Sequence, residues 1–564
     1  MNTIFSHIKR YKKYISLTIL LICIQTLLNF IGPLVIREIL NNVEINKEGN
    51  ILYYFVIFLA SLITIYIIKI ISSFIYTKFS LKFKVDESKN MYHNLFKIKI
   101  SFINKFEPSY FITRIKQAVD NLFNLLGDKV SRAAIASLTI IISLYFVMNV
   151  SIYLVILFVI LSVLNFYGYK GINNKLKEDS SRLQKTCADN FKNIINVVQN
   201  IEQIKQIGEY SGFVDMTGRY VHKIEKENTK LLLKSNVISI VLGFIIDIIK
   251  NSVLLLSIYL YFTKQIVFAD IVFINMILSI YFAALTDLKN INISLRDVRA
   301  SMKFINEELL ENLEEQDAVI ELNTIDDIEF NINEFGYDNQ KSILENIDFK
   351  INKKDKVALV GESGSGKSTL IKLLLNLYDF NDIYINSIPI EQYELKSIRR
   401  KIYVISQNTY MFPGSIKDNI VVGMNNYDKD KLDEILNYSF LESFKSLPEG
   451  LDTPIREKGL NFSGGQKQKI VIARMLMYDP DVIVFDESTS ALDSNSEDTI
   501  FNDISEILKN KTVIKVSHRL SSVQDSDYIV VLKDGKVESI GNHDELLENS
   551  EEYKRLFTRQ ITST

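Results

Sequence analysis

Eight consecutive residues of the 564-residue chain, Gly361-Glu362-Ser363-Gly364-Ser365-Gly366-Lys367-Ser368, follow the spacing G-x-x-x-x-G-K-S. Glycines so placed let the backbone curl until its N–H groups converge on a phosphate. Lys367 supplies a point charge for the β- and γ-phosphates, and the Ser368 hydroxyl is placed to hold Mg²⁺. Val357-Ala358-Leu359-Val360 reads as a buried strand entering this loop, and Leu370 to Leu377 as the helix leaving it. Gly361, Ser363, Gly364, Ser365, Gly366, Lys367, Ser368 and Thr369 are therefore the expected phosphate-binding residues, for a nucleotide with Mg²⁺.

Val482-Ile483-Val484-Phe485-Asp486-Glu487 is a second such strand ending in two acids. Four apolar residues in a row suit a strand buried on both faces. Asp486 at its end is placed to hold Mg²⁺ through water, and Glu487 to act as general base on an attacking water. Between the two motifs stands Phe462-Ser463-Gly464-Gly465-Gln466, followed by Lys467-Gln468-Lys469 and a helix from Ile470 to Met477. A helix that opens on Ser-Gly-Gly presents free N–H groups to an anion. One loop already cradles the phosphates, so a second anion site in the same domain needs a second nucleotide or a second subunit.

The elements that carry these residues occupy only the second half of the chain. From about residue 318 short apolar strands alternate with helices, the pattern of an α/β domain with a mostly parallel core. The first 300 residues concentrate the apolar composition, which is 47% overall. A membrane-crossing helix needs about 20 mostly apolar residues. Six stretches satisfy this, at roughly 14–36, 51–76, 133–149, 151–169, 237–262 and 266–288. The third and fourth are separated only by Asn149-Val150-Ser151, so they form a tight hairpin. Lys9, Arg10, Lys12 and Lys13 precede the first stretch, which is too long for a signal peptide and lacks a cleavage site. These residues are read as a short interfacial helix. They keep the N-terminus cytoplasmic, and six crossings return the chain to that side before the α/β domain. The polar helical stretches 77–128 and 170–236 then lie on the cytoplasmic side as continuations of the spans.

Lys+Arg (65) balances Asp+Glu (67), so net charge argues for neither nucleic acid nor an acidic partner, and no nucleic-acid partner is expected. Cys23 and Cys187 are read as reduced thiols. The absence of Trp beside abundant Phe, Tyr, Ile, Lys and Asn reflects A/T-rich coding. Asp247 and Lys250 lie three apart inside the fifth stretch, on one helix face. They either satisfy each other inside the bundle or line a possible cargo pathway. Lys69 is read as a lysine snorkelling to the interface.

Taken together, the motifs resemble those of the ATP-binding cassette (ABC) transporters, and nearly the whole chain looks like an exporter-type half-transporter. The resemblance implies a multidomain protein: an N-terminal all-α, six-helix transmembrane domain over 1–300, a linker over 301–317, and a C-terminal α/β P-loop NTPase domain over 318–564. It implies a transport ATPase of the cell membrane whose partner is a second half-transporter, as homodimer or heterodimer, with each ATP held between the P-loop of one cassette and the Ser463-Gly464-Gly465-Gln466 segment of the other. Residue by residue, Tyr337, 24 positions before Gly361, matches the aromatic that stacks on adenine. Gln407 matches the glutamine that contacts Mg²⁺ and the lytic water. Asp493, in Ser490-Ala491-Leu492-Asp493, matches the loop that signals across the dimer, and His518 the γ-phosphate sensor. Phe462 stands where the family has leucine, and Arg456-Glu457 where it has Gly-Glu; no ATPase residue is degenerate.

In the membrane half, Pro108-Ser109-Tyr110-Phe111 through Arg114 and Asp120 looks like the segment before and within the first coupling helix, and Ile204 to Glu209 like the region around the second. The implied activity is ATP-driven export of a peptide, lipid or hydrophobic compound by alternating access. The alternatives are import of a siderophore-type ligand on the same fold, or an ATP-gated channel. No module precedes the first span, so a peptide cargo is expected to be trimmed elsewhere.

Overall fold

The computed structural model describes the chain apart from residues 1, 45–50, 107, 315–319, 338–341, 407–408, 457–458, 487–493, 518–522 and 562–564. Side chains are also left out at 2–10, 108–109, 161, 164–178, 180–181, 184–185, 188, 242, 289–294, 296, 494–499, 501 and 557–561. Two compact units result. One comprises 1–96 and 106–312, the other 97–105 and 313–564.

The first unit is helical throughout. Its elements are α1 (Asn2–Asn29), α2 (Ile31–Glu44) and α3 (Ile51–Leu95), then α4 (Ile100–Ile103), which belongs to the second unit. There follow α5 (Pro108–Phe123), a π-helical turn (Asn124–Lys129), α6 (Val130–Met148), α7 (Ile152–Gln199), α8 (Ile201–Ile207), α9 (Ser211–Phe262) and α10 (Phe268–Lys303). Non-helical backbone at Tyr11 marks where the basic N-terminal turns give way to the first span. Among the described residues five helices are long and apolar enough to cross a membrane, at Tyr11–Glu44, Ile51–Leu95, Tyr110–Met148, Ser211–Phe262 and Phe268–Leu288. The remaining expected stretch, 151–169, opens α7, and only Asn149-Val150-Ser151 separates it from α6. In lipid every backbone group must be paired within the segment, which is why the apolar stretches are helical, the first with only a turn at Phe30 between α1 and α2. The chain is a multi-pass membrane protein.

Helices α3, α7 and α9 run for 45, 48 and 52 residues, well beyond the twenty or so that lipid requires. Their polar extensions continue the spans, as the sequence pattern predicts. Charge is nearly absent from the apolar segments, so one buried ion pair stands out. Arg37 of α2 places Nε 2.8 Å and Nη2 2.6 Å from Asp270 Oδ1 of α10. Asp270 is buried, and its second oxygen accepts from the Val267 N–H at 3.2 Å, capping α10. Arg37 also lies 5.0 Å from the Phe273 ring.

The second unit is α/β. Its main sheet has six strands, in the spatial order Lys536–Gly541, Tyr528–Lys533, Lys356–Val360, Thr512–Val516, Val482–Asp486 and Ile402–Ser406. All neighbours are parallel except the first pair, which is antiparallel. Alternate residues of the central strands face different cores. Val482 and Val484 join one apolar cluster and Ile483 and Phe485 another. Both faces are thus covered, as continuous apolar runs require. A second, four-stranded antiparallel sheet contains Asp327–Phe335 and Leu344–Asn352. Ile328, Phe330 and Ile332 turn inward there, and Phe330 stacks on Phe349 at 4.6 Å.

The segment 97–105 is a correction to the sequence reading. Pro108 to Asp120, read as the segment before and within the first coupling helix, is the body of α5 in the membrane unit. The short helix packed on the nucleotide unit is α4. There Lys99 Nζ is 2.6 Å from Asp379 Oδ2, the Glu314 N–H donates to Lys97 O at 2.7 Å, and Ile98 is buried. By contrast α8 buries none of its residues and exposes Ile201 and Ile207.

Replacing Arg37 with Met leaves the Asp270 carboxylate buried without its cation. Such a loss costs about 3–5 kcal/mol. Arg37→Met is expected to lower the unfolding temperature clearly in detergent, and Arg37→Met/Asp270→Asn, which keeps the cap, to recover most of it. Equal stability of the single and double variants would contradict this.

Candidate functional site

The parallel register places the chemistry. Leu359 pairs with Val516, Val516 with Asp486, and Asp486 with Ser406. Four strands therefore end level with one another. The residues that follow these ends in sequence are Val360-Gly361, Ser517-His518, Glu487 and Gln407. In parallel sheets ligands bind outside the carboxyl ends of the strands. Gln407, Glu487, Asp493 and His518 themselves lie outside the described residues.

The loop Gly361–Gly366 is held in a shape only glycine accepts at two points. Gly361 has φ +153°, and a Cβ there would meet Leu532 O at 2.2 Å. Gly366 has φ +104°, with Leu344 Cδ2 at 2.4 Å from the same imagined atom. Lys367 opens the helix Lys367–Leu374 and is only 5% exposed. Its Nζ donates to Gly361 O and Glu362 O, both at 2.8 Å, and to Ser365 Oγ at 3.3 Å. The loop is thus curled around its own lysine, while Ser363, Gly364 and Ser368 stay exposed. The buried ammonium, the exposed Ser368 hydroxyl and Asp486 at the level end of the next strand but one fit a Mg²⁺–triphosphate.

Tyr337 follows the strand Asp327–Phe335 and donates to Thr369 Oγ1 at 3.1 Å. Lys372 Nζ lies 5.7 Å from its ring. The structure so joins Tyr337 to the helix of the phosphate loop. Ser463 caps the helix Gly464–Tyr478, accepting from the Gln466 N–H at 3.2 Å while Gln466 Oε1 accepts from the Ser463 N–H at 2.9 Å. Ser463 and Gly464 are exposed, so this helix start is open. Phe462 is buried in the same core as Phe444, which explains why an apolar exchange serves there. The helix Gly464–Tyr478 packs into that core, whereas the phosphate-loop helix packs into another. Asp247 is exposed on α9, and Lys250 Nζ lies 5.4 Å from the Phe282 ring; they form no ion pair with each other.

Sequence reasoning missed a link to the C-terminal helix Glu551–Ile561. Arg555 reaches Glu362 Oε1 of the phosphate loop at 2.7 Å and Glu552 Oε1 at 2.7 Å, and Lys533 Nζ lies 3.1 Å from Glu552 Oε2. The Arg555–Glu362 pair is an exposed surface ion pair, so its effect is chiefly positional. The only signal was a charge-rich C-terminal helix, which reads as a solvated face.

Residues 344–490 match the family model described as ABC transporter, and residues 15–285 the one described as ABC transporter transmembrane region. The chain belongs to the ABC transporters. It is 40% identical over 240 residues to a Rickettsia typhi protein provisionally named an export ATP-binding/permease protein, a match covering 42% of each. It is 26% identical over 499 residues to the ATP-dependent lipid A-core flippase of Wigglesworthia glossinidia brevipalpis, covering 87% of this chain and 86% of that one. The chain thus spans about two fifths of the length of the first of these relatives and most of the second. Its fold matches that of a bacterial Atm1-family ABC exporter with ATP bound, with a TM-score of 0.90, 22% identity and 98% of both chains covered. The ABC transporter chain thus has an exporter-type membrane domain fused to its cassette.

Glu552 offers a test of the C-terminal link. Burial alone would raise its pKa, but hydrogen bonds from Lys533 and Arg555 outweigh this and hold it below the usual 4.5. A depressed folded-state pKa contributes stability above the unfolded value and loses it as pH falls. Glu552→Gln is expected to destabilise the protein by about 1–3 kcal/mol at neutral pH. The gap between variant and parent should shrink as the pH drops below about 4.5. A gap independent of pH would contradict the ionic link.

Proposed function

We propose that this chain is a half-transporter, and that two chains together hydrolyse ATP to move a cargo out across the cytoplasmic membrane. The observation that carries the reading is the division of phosphate-binding groups within one chain. The loop at Gly361–Ser368 sits at the aligned strand ends, while the open helix start at Ser463 belongs to a different core. One chain then holds half of each of two sites, and a second copy, or a homologous subunit, completes them. The exposed α8, with Ile201 and Ile207 uncovered, supports a dimer in which this helix docks on the other chain.

When bound, ATP supplies the transferable γ-phosphoryl group, and Mg²⁺ neutralises charge on its oxygens. Lys367 and the loop N–H groups hold the phosphates, and Tyr337 supports the adenine. Ser368, Gln407 and Asp486 hold the metal. Glu487 takes a proton from water, and His518 reads the γ-phosphate. Ser463 to Gln466 of the other chain close the site, and Asp493 signals across it. Closing and reopening of the cassettes swings the spans between inward and outward access, with the basic N-terminus and the cassette on the cytoplasmic side. The names of the relatives support export over import.

The test uses the full-length protein in inside-out vesicles. Glu487→Gln is expected to retain ATP while hydrolysis falls by about 10²–10⁴-fold. Wild-type turnover in that variant would mean another group activates the water. A transported probe should accumulate uphill in these vesicles only with hydrolysable ATP. Accumulation in right-side-out vesicles would point to import, and ATP-opened downhill leak to a channel.

A further inference from the structure

The G-x-x-x-x-G-K-S loop carries an acid where anions bind. Glu362 stands between Gly361 and Ser363; its side chain is exposed, and Ser363 and Gly364 beside it are exposed too. A carboxylate close to a polyphosphate repels it, and binding weakens unless a cation cancels the charge. Glu362 is also tied to the lysine of the loop, because its carbonyl oxygen accepts from Lys367 Nζ at 2.8 Å. One residue thus supports the phosphate-binding ammonium through its backbone and brings a negative charge on its side chain.

The cation comes from the far end of the chain. Arg555 Nη2 lies 2.7 Å from Glu362 Oε1 and 2.7 Å from Glu552 Oε1. Glu552 is 3% exposed, and its other oxygen lies 3.1 Å from Lys533 Nζ. Lys533 follows Leu532, whose carbonyl oxygen stands behind Gly361. Lys533, Glu552, Arg555 and Glu362 therefore alternate in sign from the strand behind the loop to the loop itself. Arg555 is the member shared between two acids.

The helix that carries Arg555 is held in place. Tyr553 is fully buried in one apolar cluster with Ala358 and Val360, the strand residues that lead into Gly361, and Leu556 packs against the same cluster. The Tyr553 N–H donates to Ser550 Oγ at 3.0 Å, and Ser550 Oγ donates to Glu538 Oε2 at 2.7 Å. The helix is thus seated on the strand that feeds the phosphate loop. An ion pair between two free surface side chains loses most of its gain to ordering, and a seated helix reduces that loss.

Resting on the reading of this loop as an ATP site, we propose that Arg555 is a positioning residue for nucleotide binding, which holds Glu362 and cancels its charge so that the loop accepts a polyphosphate. The C-terminal helix Glu551–Ile561 then sets the nucleotide affinity of its own cassette. The repulsion that Arg555 removes acts on phosphate charge and not on the base. ATP therefore gains most, ADP less and AMP least.

The test is equilibrium binding to the full-length protein in nanodiscs, without Mg²⁺ so that no hydrolysis intervenes. Trinitrophenyl-ATP is displaced by ATP, ADP or AMP. Arg555→Gln is expected to weaken ATP binding about 3–10-fold, the size of one partly screened charge near the phosphates. ADP should lose less and AMP least. Arg555→Glu should lose more than Arg555→Gln, and Arg555→Lys, which keeps the charge, should lose less. At about 1 M salt, where the screening length falls to about 3 Å, these differences should shrink. Glu362→Gln should restore ATP affinity in the Arg555→Gln background, and alone should bind ATP more tightly than the parent. Recovery on removing the second partner separates charge balance from a displaced helix. Parent-like ATP affinity in Arg555→Gln, an equal loss for ATP, ADP and AMP, or no recovery in the double variant would overturn the proposal. A parent protein that binds no ATP would overturn the ATP reading instead.

Discussion

The parallel register of the main sheet is the constraint on which the rest depends. Because Leu359, Val516, Asp486 and Ser406 lie level, four chain segments emerge at one edge. That register is maintained by apolar residues on both faces, which leave a strand no way to slip without moving every side chain to the wrong layer. The phosphate loop then adds its own rigidity. Leu532 O behind Gly361 and Leu344 behind Gly366 leave space for a hydrogen and nothing larger. The ammonium of Lys367 fills the curl from inside.

The membrane unit obeys the opposite rule. Water is absent there, so backbone groups pair within each helix, and side-chain polarity appears only where it finds a partner or a cavity. The Arg37–Asp270 pair is the first case. The cluster of Asp128, Lys129, Arg132 and Asp287 is the second: Arg132 donates to Asp128 and also faces the charge of Asp287.

Much of this was legible in the sequence. The glycine spacing, the strand before it and the buried Val482–Phe485 run are local patterns, and local patterns survive folding. The long helices were legible because unbroken apolar stretches have few other fates. What was not legible depends on contacts between distant residues. Pro108 to Asp120 has the polarity of a coupling segment, but the residues that pack on the nucleotide unit are 97–105. The link from Arg555 to Glu362 joins two charges that each look solvated alone. Asp247 and Lys250 have the spacing of a pair but no contact.

The central claim is that neither phosphate-binding face works within one chain. It is tested most directly by mixing two inactive chains, Lys367→Ala and Ser463→Ala, and purifying the mixed dimer by two different tags. One composite site then keeps both intact faces. The account predicts no hydrolysis from either variant alone and recovery of a substantial fraction of wild-type hydrolysis in the mixed dimer. Full hydrolysis by a verified single chain, or no recovery in a verified mixed dimer that still binds ATP, would contradict it.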